Sequence, residues 1–541
     1  MPLFFLLKAA GLYTFTRITW SLIRRLVFGH PFDVIPGPVP KSFFGGHLGQ
    51  LFSNDALPFQ KELGRKYGSV LKVAGLMGGK ALFVSDPLAL HHIFVKDADV
   101  YEETEVLITT NKVLFGEGLL STIGEKHRKQ RKLLNPVFST TNLRKLVPTF
   151  WKASGRFSET LVKVASDGPK EVDLGEWLPR VALELIGQSA LGHSFDSLTE
   201  TYAEHPLSAA LKRLVPVGMK LLWARFFVIP FVQRWNLGGK RLQRFVVDVF
   251  GWDSVQQLKD IADLIHETSK EILAARQKAM EAGAELEGKD ILALILRANI
   301  ENAKEDRMPE EEVIAQISTF VFGGLDTTSS ALSRVIHLLT QHESVQDRLR
   351  EEILEARNTY GELDYDQLCE LPYLDAVCRE TLRVYPPIPL LPRETVKDAV
   401  LPFSKPIKTT EGKLINEIVV PAGSRIYNSI LNSNCDTDVW GPDGHQWKPE
   451  RWLSTLEQSV TDARIPGVYS NMMTFIGGRR SCLGFMFAQL EMKAVLFSLL
   501  ERLRFGSGGK EITWNMSGIV YPSVGTNKLR PELPLVVSLV K

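Results

Sequence analysis

The chain has 541 residues, a net charge of +2 from 64 basic and 62 acidic side chains, and 44% hydrophobic content. That balance gives no case for nucleic-acid binding, and the hydrophobic content supports a sizeable core. Four cysteines (Cys369, Cys378, Cys435 and Cys482) show no CxxC or regular spacing, which argues against a disulfide framework or zinc site and fits a reducing compartment.

Residues Pro2 to Ile23 are mostly apolar and aromatic, interrupted by Lys8 and Arg17 and closed by Arg24 and Arg25. About 20 apolar residues suffice for a membrane span. The two charges lie toward opposite ends, where long side chains snorkel, and the trailing arginines favour a cytoplasmic domain. An uncleaved single-pass anchor is expected over residues 1–30, with an interfacial helix as the alternative. A Pro/Gly-rich stretch follows over 31–46, including Ile35-Pro36-Gly37-Pro38-Val39-Pro40. Length alone suggests three or four domains. No repeat or long linker interrupts 47–541, however, so one large domain is the better reading.

The rest is helix-rich, with strand candidates at Ser69 to Val73, Ala81 to Val84, Glu417 to Val420 and Leu533 to Val540. The basic run Gly124 to Lys132 reads as a helix ending before Asn135-Pro136, with His127 and Arg131 four residues apart on one face. Most such helices simply face water or a partner. Leu211 to Val232 is strongly apolar, and ordinary core helices account for it. Glu281 to Lys304 turns charged and Gly-containing, which predicts an exposed connection.

A long helix is predicted from Pro309, with Glu310, Glu311 and Glu312 favourable in its first turn. Inside it lies Val321-Phe322-Gly323-Gly324-Leu325-Asp326-Thr327-Thr328. Two adjacent glycines cost about 1 kcal/mol each relative to alanine. Close approach of a flat ligand would justify them, with a locally opened turn freeing a carbonyl and the Thr327 hydroxyl for water. A helix-packing notch is the plainer account. Downstream, Glu380 and Arg383 are three apart on a helix stopped by Tyr385-Pro386-Pro387, a spacing that usually marks a surface ion pair.

The decisive stretch is Phe475-Ile476-Gly477-Gly478-Arg479-Arg480-Ser481-Cys482-Leu483-Gly484, followed by an apolar helix over Phe485 to Leu500. Gly478 and Gly484 let backbone approach something bulky. Arg480 can hold an anion and favours thiolate over thiol. A lone cysteine is usually a small core hydrophobe. A thiolate in an apolar slot with cations nearby instead suits a haem iron and its propionates.

This stretch matches Phe-x-x-Gly-x-Arg-x-Cys-x-Gly at every fixed position, and the chain resembles the cytochrome P450 family over most of its length, closest to fungal, basidiomycete-type microsomal members. The resemblance implies a mainly α fold with small β-sheets and a haem b (iron protoporphyrin IX) whose axial ligand is Cys482. It implies Phe475 beside the sulfur, close approach at Gly484, Gly323 and Gly324, and propionate contacts from Arg480, Arg393, Arg131 and His127. His127 stands where the family has tryptophan; a ring N–H donor survives, but the position becomes titratable. Thr327 is implied to order a hydrogen bond or water at dioxygen and Asp326 to help deliver protons. Glu380, Arg383 and Arg451 are implied to form a buried structural lock.

The implied activity is insertion of one atom of O2 into a C–H bond of a lipophilic substrate (a terpenoid, sterol or other secondary metabolite). No flavin or nicotinamide domain follows Cys482, so electrons are expected from a membrane NADPH–cytochrome reductase, with cytochrome b5 as an optional donor. The implied site is the endoplasmic reticulum membrane, with 31–46 a stiff hinge and the Leu211 to Val232 region a substrate roof. The alternatives are a fatty-acid or xenobiotic hydroxylase, a reductase-independent haem-thiolate isomerase or dehydratase, and a non-catalytic haem- or lipid-binding protein. An intact Asp326-Thr327 pair speaks against the isomerase.

Overall fold

The computed structural model describes residues 29–199, 204–221, 239–249, 251–281, 290–301, 307–525 and 530–540, with isolated positions between 222 and 238. The expected anchor lies outside the described residues, apart from its last two positions. Among the described residues no helix is long and apolar enough to cross a membrane.

Thirteen described helices exceed seven residues. They are α1 (Ala56–Tyr67), α2 (Glu105–Phe115), α3 (Gly124–Leu134), α4 (Thr140–Val164), α5 (Leu174–Ile186), α6 (Pro206–Lys220) and α7 (Gly239–Val249). Then follow α8 (Asp253–Glu281), α9 (Ile291–Glu301), α10 (Glu310–Gln341), α11 (Glu343–Tyr360), α12 (Pro372–Val384) and α13 (Phe485–Leu500). The expected mainly α fold with small sheets is what forms.

Two helices set the frame. α13 is apolar all round, and such a helix is stable only when surrounded; it packs along α4 and against α10. α10 runs 32 residues, is buried over most of its length and lies along α5. The largest apolar cluster draws on residues from Leu114 to Val537.

The four strand candidates all form, as β1 (Val70–Ala74), β2 (Lys80–Val84), β7 (Leu414–Val420) and β12 (Pro534–Leu539). Eight more join them: β3 (Tyr101–Glu102), β4 (Lys170–Asp173), β5 (Leu390–Thr395), β6 (Ala399–Lys408), β8 (Arg425–Ser429), β9 (Leu503–Ser507), β10 (Ile512–Ser517) and β11 (Ile519–Val524). A five-stranded sheet runs β1-β2-β8-β5-β3, with β2 and β8 parallel. A second has the order β4-β12-β9, and β6–β7 and β10–β11 are hairpins. β5 carries Pro392 and follows three prolines, a local signal against a strand that pairing on both sides overrides.

The Pro/Gly-rich stretch is held against this sheet. Phe32 and Ile35 are fully buried, and the Lys72 N–H donates to the Pro36 carbonyl. One expectation is corrected: within Glu281 to Lys304 the run from Ile291 forms α9, because Ile291, Leu292 and Ile295 bury completely against the core. In Leu211 to Val232, Leu211, Leu214, Val217 and Leu221 are ordinary core. Leu222, Trp223, Phe226, Phe227 and Phe231 lie outside the described residues.

Candidate active site

The cysteine loop is built by its own backbone. Cys482 N–H donates to the Phe475 carbonyl at 2.9 Å, closing the turn that ends at the α13 N-terminus. Gly478 sits at φ +70°, and a Cβ there would lie 1.9 Å from the Phe94 carbonyl oxygen. Its glycine is therefore required by the protein's own backbone, not by a ligand. At Gly484 the nearest obstacle to a Cβ is Phe138, 3.9 Å away, which leaves room. Phe475 is buried, edge-on to Tyr469 at 5.8 Å and tilted against Phe485.

Cys482 itself is exposed, alone among the four cysteines. Its surroundings nevertheless strip enough hydration to push the thiol pKa up, opposed by the Gly484 backbone N–H and the Arg131 charge. Arg131, not Arg480 as the sequence suggested, is the cation that favours the thiolate. It reaches the loop by donating to the Ser481 carbonyl and, at 3.0 Å, to the Ser481 hydroxyl.

A cavity of about 390 Å³ brings His127, Arg131, Arg480 and Ser481 together with Asp99 and Glu102. His127 is buried on α3, and its ring has no hydrogen bond among the described residues. Burial, with Arg480 and Arg131 nearby, pushes its pKa down to about 3. The expectation of a titrating position is corrected: His127 is a neutral donor near pH 7. Arg480 donates to the Thr122 carbonyl at 2.8 Å and contacts Glu102 at 3.3 Å through one nitrogen, Nη2. Arg393 is almost fully buried on β5, and both its Nη atoms meet the Glu103 carboxylate at 3.0 Å. No local spacing signals that acidic partners engage these two arginines.

α10 carries the two adjacent glycines. At Gly323 a Cβ would meet nothing within 4 Å, whereas at Gly324 it would come within 3.0 Å of Ile186 on α5. The two adjacent glycines have different causes: Gly324 is a packing notch, and Gly323 leaves an open face. The expected opened turn is absent. α10 is continuous, and the Thr327 hydroxyl donates to the Gly323 carbonyl at 2.7 Å, which ties up that carbonyl.

Asp326 lines a separate cavity of about 70 Å³ with Lys212, Ser329, Ser330, Ser333 and Tyr521. Burial raises its pKa to about 7, against the opposing charge of Lys212, whose Nζ pairs with Glu204 at 2.7 Å. Thr327 is not among the residues lining this cavity, and no side-chain bond joins it to Asp326. Lys212 was missed because its partner is distant in sequence. Glu491 was missed too: it is fully buried on α13, and burial pushes its pKa well up, opposed by the Thr328 side chain.

Glu380 and Arg383 are fully buried and paired through two bonds of 2.7 and 2.8 Å. Glu380 also accepts from Trp452 Nε1 at 2.9 Å and Lys448 N at 3.1 Å. Arg451 stands 3.6 Å from Glu380, close enough for charge attraction but without a hydrogen bond. Its own bonds go to the Asp443 carboxylate at 2.7 Å and the Trp440 carbonyl at 3.1 Å.

A family model for Cytochrome P450 matches residues 35–527. The chain belongs to the cytochrome P450 family. Cytochrome P450 monooxygenase 91 of Postia placenta is 45% identical to this P450 over 533 residues, 97% of each chain. Ganoderic acid synthetase of Ganoderma lucidum is 38% identical over 534 residues, 96% of each chain. A cytochrome P450 monooxygenase of Hericium erinaceus is 33% identical over 548 residues, covering 99% of this chain and 98% of that one. The fungal resemblance read from the sequence therefore holds. A P450 is a haem-thiolate enzyme, and the residues of this one fit the group. The thiol is open, Arg480 keeps Nε and Nη1 unused among the described residues, the His127 ring is unbonded, and Gly323 leaves space where a side chain would intrude.

Proposed function

We propose that this P450 monooxygenase inserts one oxygen atom from O2 into a C–H bond of a lipophilic terpenoid, using haem b and electrons from NADPH–cytochrome reductase, with cytochrome b5 as an optional donor. The observation that carries the chemistry is the open Cys482 thiol beside the cavity lined by His127, Arg131 and Arg480. The terpenoid class is supported by the ganoderic acid synthetase relative. Sterols and other secondary metabolites share the same apolar character, with burial worth roughly 25 cal/mol per Å².

Bound haem supplies dioxygen activation and oxygen transfer, its reactivity tuned by thiolate ligation. This chain's own residues do the rest. Cys482 would hold the haem through its sulfur, in a loop fixed by its backbone bond to Phe475 and by Arg131 on Ser481. His127, Arg131, Arg480 and Arg393 serve as carboxylate partners. The Thr327 hydroxyl can turn from the Gly323 carbonyl toward a ligand on the open face of α10. Asp326, with a pKa of about 7, both holds and releases a proton near neutrality. The presence of both Asp326 and Thr327 in the sequence favours oxygenation over a reductase-independent isomerisation.

The endoplasmic reticulum membrane is the proposed location, with 1–30 as a single-pass anchor, 31–46 as hinge and 47–541 as the cytoplasmic haem domain. Apolar exposure supports it. Phe43 and Phe44 are largely exposed, and α7 presents Leu242, Phe245, Val246 and Val249 to solvent at the spacing of one helix face.

The test is product formation from a terpenoid library in microsomes with and without reductase, comparing wild type and Thr327→Ala. NADPH-dependent product in the wild type, reduced on the order of tenfold to a hundredfold in Thr327→Ala, is expected. Product formed equally well without NADPH would remove the monooxygenase reading.

Asp326 carries its own pH signature. An acid whose pKa rises from 3.8 to about 7 on folding favours the folded state below 3.8 and loses that contribution as pH climbs past 7. Chemical-denaturation curves from about pH 5 to about pH 8 should show wild type losing stability relative to Asp326→Asn. Parallel pH profiles would show that Asp326 ionises freely and is not buried as supposed.

A further inference from the structure

The two arginines that would meet the haem carboxylates already face two carboxylates of the chain. Glu103 engages both Nη atoms of Arg393 at 3.0 Å, and Glu102 contacts Arg480 at 3.3 Å. Arg393 feels the charges of Glu103, Arg480 and Glu102 together. The arrangement is set by the sheet: β3 pairs with β5, placing Tyr101 opposite Thr395 and Glu102 opposite Glu394, next to Arg393. Arg393 is 2% exposed and Glu103 13%, so this is an interior pair.

A buried guanidinium without a counter-charge is strongly destabilising. Glu103 supplies that counter-charge from within the chain. Once haem carboxylates reach the same cations, Glu102 and Glu103 become like-charged neighbours, which disfavours the arrangement. Their attraction to arginine operates in both states, but their repulsion operates only in the haem-bound one. We propose that Glu102 and Glu103 stand in for the haem carboxylates, holding Arg393 and Arg480 in place before haem arrives and loosening haem once it is seated. This rests on the assignment of Cys482 as haem ligand.

The experiment measures haem transfer from the full-length ferric protein to excess apomyoglobin, with melting of the haem-free chain alongside. Glu103→Gln should slow transfer on the order of fivefold and lower the haem-free melting temperature. Glu102→Gln, at a weaker and more exposed contact, should slow transfer less. Glu103→Asp, which keeps the charge, should transfer close to the wild-type rate. Transfer from Glu103→Gln at the wild-type rate or faster overturns the proposal, because the glutamate would then be a brace for Arg393 rather than a competitor. Should Glu103→Gln not fold, Glu102→Gln decides by the same criterion. A wild-type chain that takes up no haem would overturn the Cys482 assignment and this proposal with it. A haem-loaded wild type whose variants lose haem equally fast would overturn this proposal alone.

Discussion

Cys482→Ser is expected to abolish the red-shifted Soret band of the reduced carbon-monoxide complex and to cut turnover at least about a thousandfold, equal to about 4 kcal/mol of barrier. The effect is large because the thiolate is both ligand and electron donor, and a serine hydroxyl does not ionise under the conditions that ionise a metal-bound thiol. The loop tolerates the exchange sterically. Its shape is set by Cys482 N–H on the Phe475 carbonyl and by the tight fit of Gly478 against Phe94, neither of which involves sulfur. Far-UV circular dichroism of the haem-free variant should therefore match wild type. Cys378 and Cys435 are the controls: both are buried, with thiol pKa values pushed up by burial, so conservative replacement should leave the band intact. A red-shifted band surviving in Cys482→Ser would refute the ligand assignment.

Glu380→Ala should destabilise the fold by about 3–5 kcal/mol, a large part of the roughly 5–15 kcal/mol that holds a typical protein folded. Glu380 and Arg383 have no exposed side-chain surface, and Arg383 is further fixed by carbonyls of Asn434 and Gly444 at 2.8 and 2.6 Å. Removing the carboxylate strands the guanidinium in the core and leaves Trp452 Nε1 without its acceptor. Arg451 is no substitute anchor, being 3.6 Å from Glu380 and committed to Asp443. Arg451→Ala should cost clearly less than Glu380→Ala. A double variant with Arg383→Leu should cost less than the sum of its two singles, since the stranded charge is then gone. Denaturation curves and haem content per chain would measure both; a loss under about 1 kcal/mol for Glu380→Ala would mean the pair is not the lock it resembles.

Much of this was legible because the informative features are local. The spacing of Phe475, Arg480, Cys482 and Gly484 lies within ten residues, so one turn of backbone decides it. α10 and α13 announced themselves by composition, one from Pro309 with acidic first-turn residues, the other by an unbroken apolar run. Strand β5 did not, because Pro392 and the prolines before it argue locally for a loop and only its neighbours make it a strand. α9 was misread because flanking charges hid the apolar run that buries it.

The chain's order of residues by itself pointed to the family, the helix-rich class and Cys482, His127, Arg131, Arg393 and Arg480 as candidate site residues, since each reading depends on short-range spacing. Tertiary structure alone decided that Gly324 is a notch for Ile186 while Gly323 is open, and that Asp326 faces Lys212 in its own cavity. It also decided that His127 stays neutral and that Glu102 and Glu103 occupy the arginines. The reason is physical: burial and ion pairing depend on which distant segments meet. Dehydration and Coulomb forces act across space, whereas spacing along the chain reports only what lies within a turn or two.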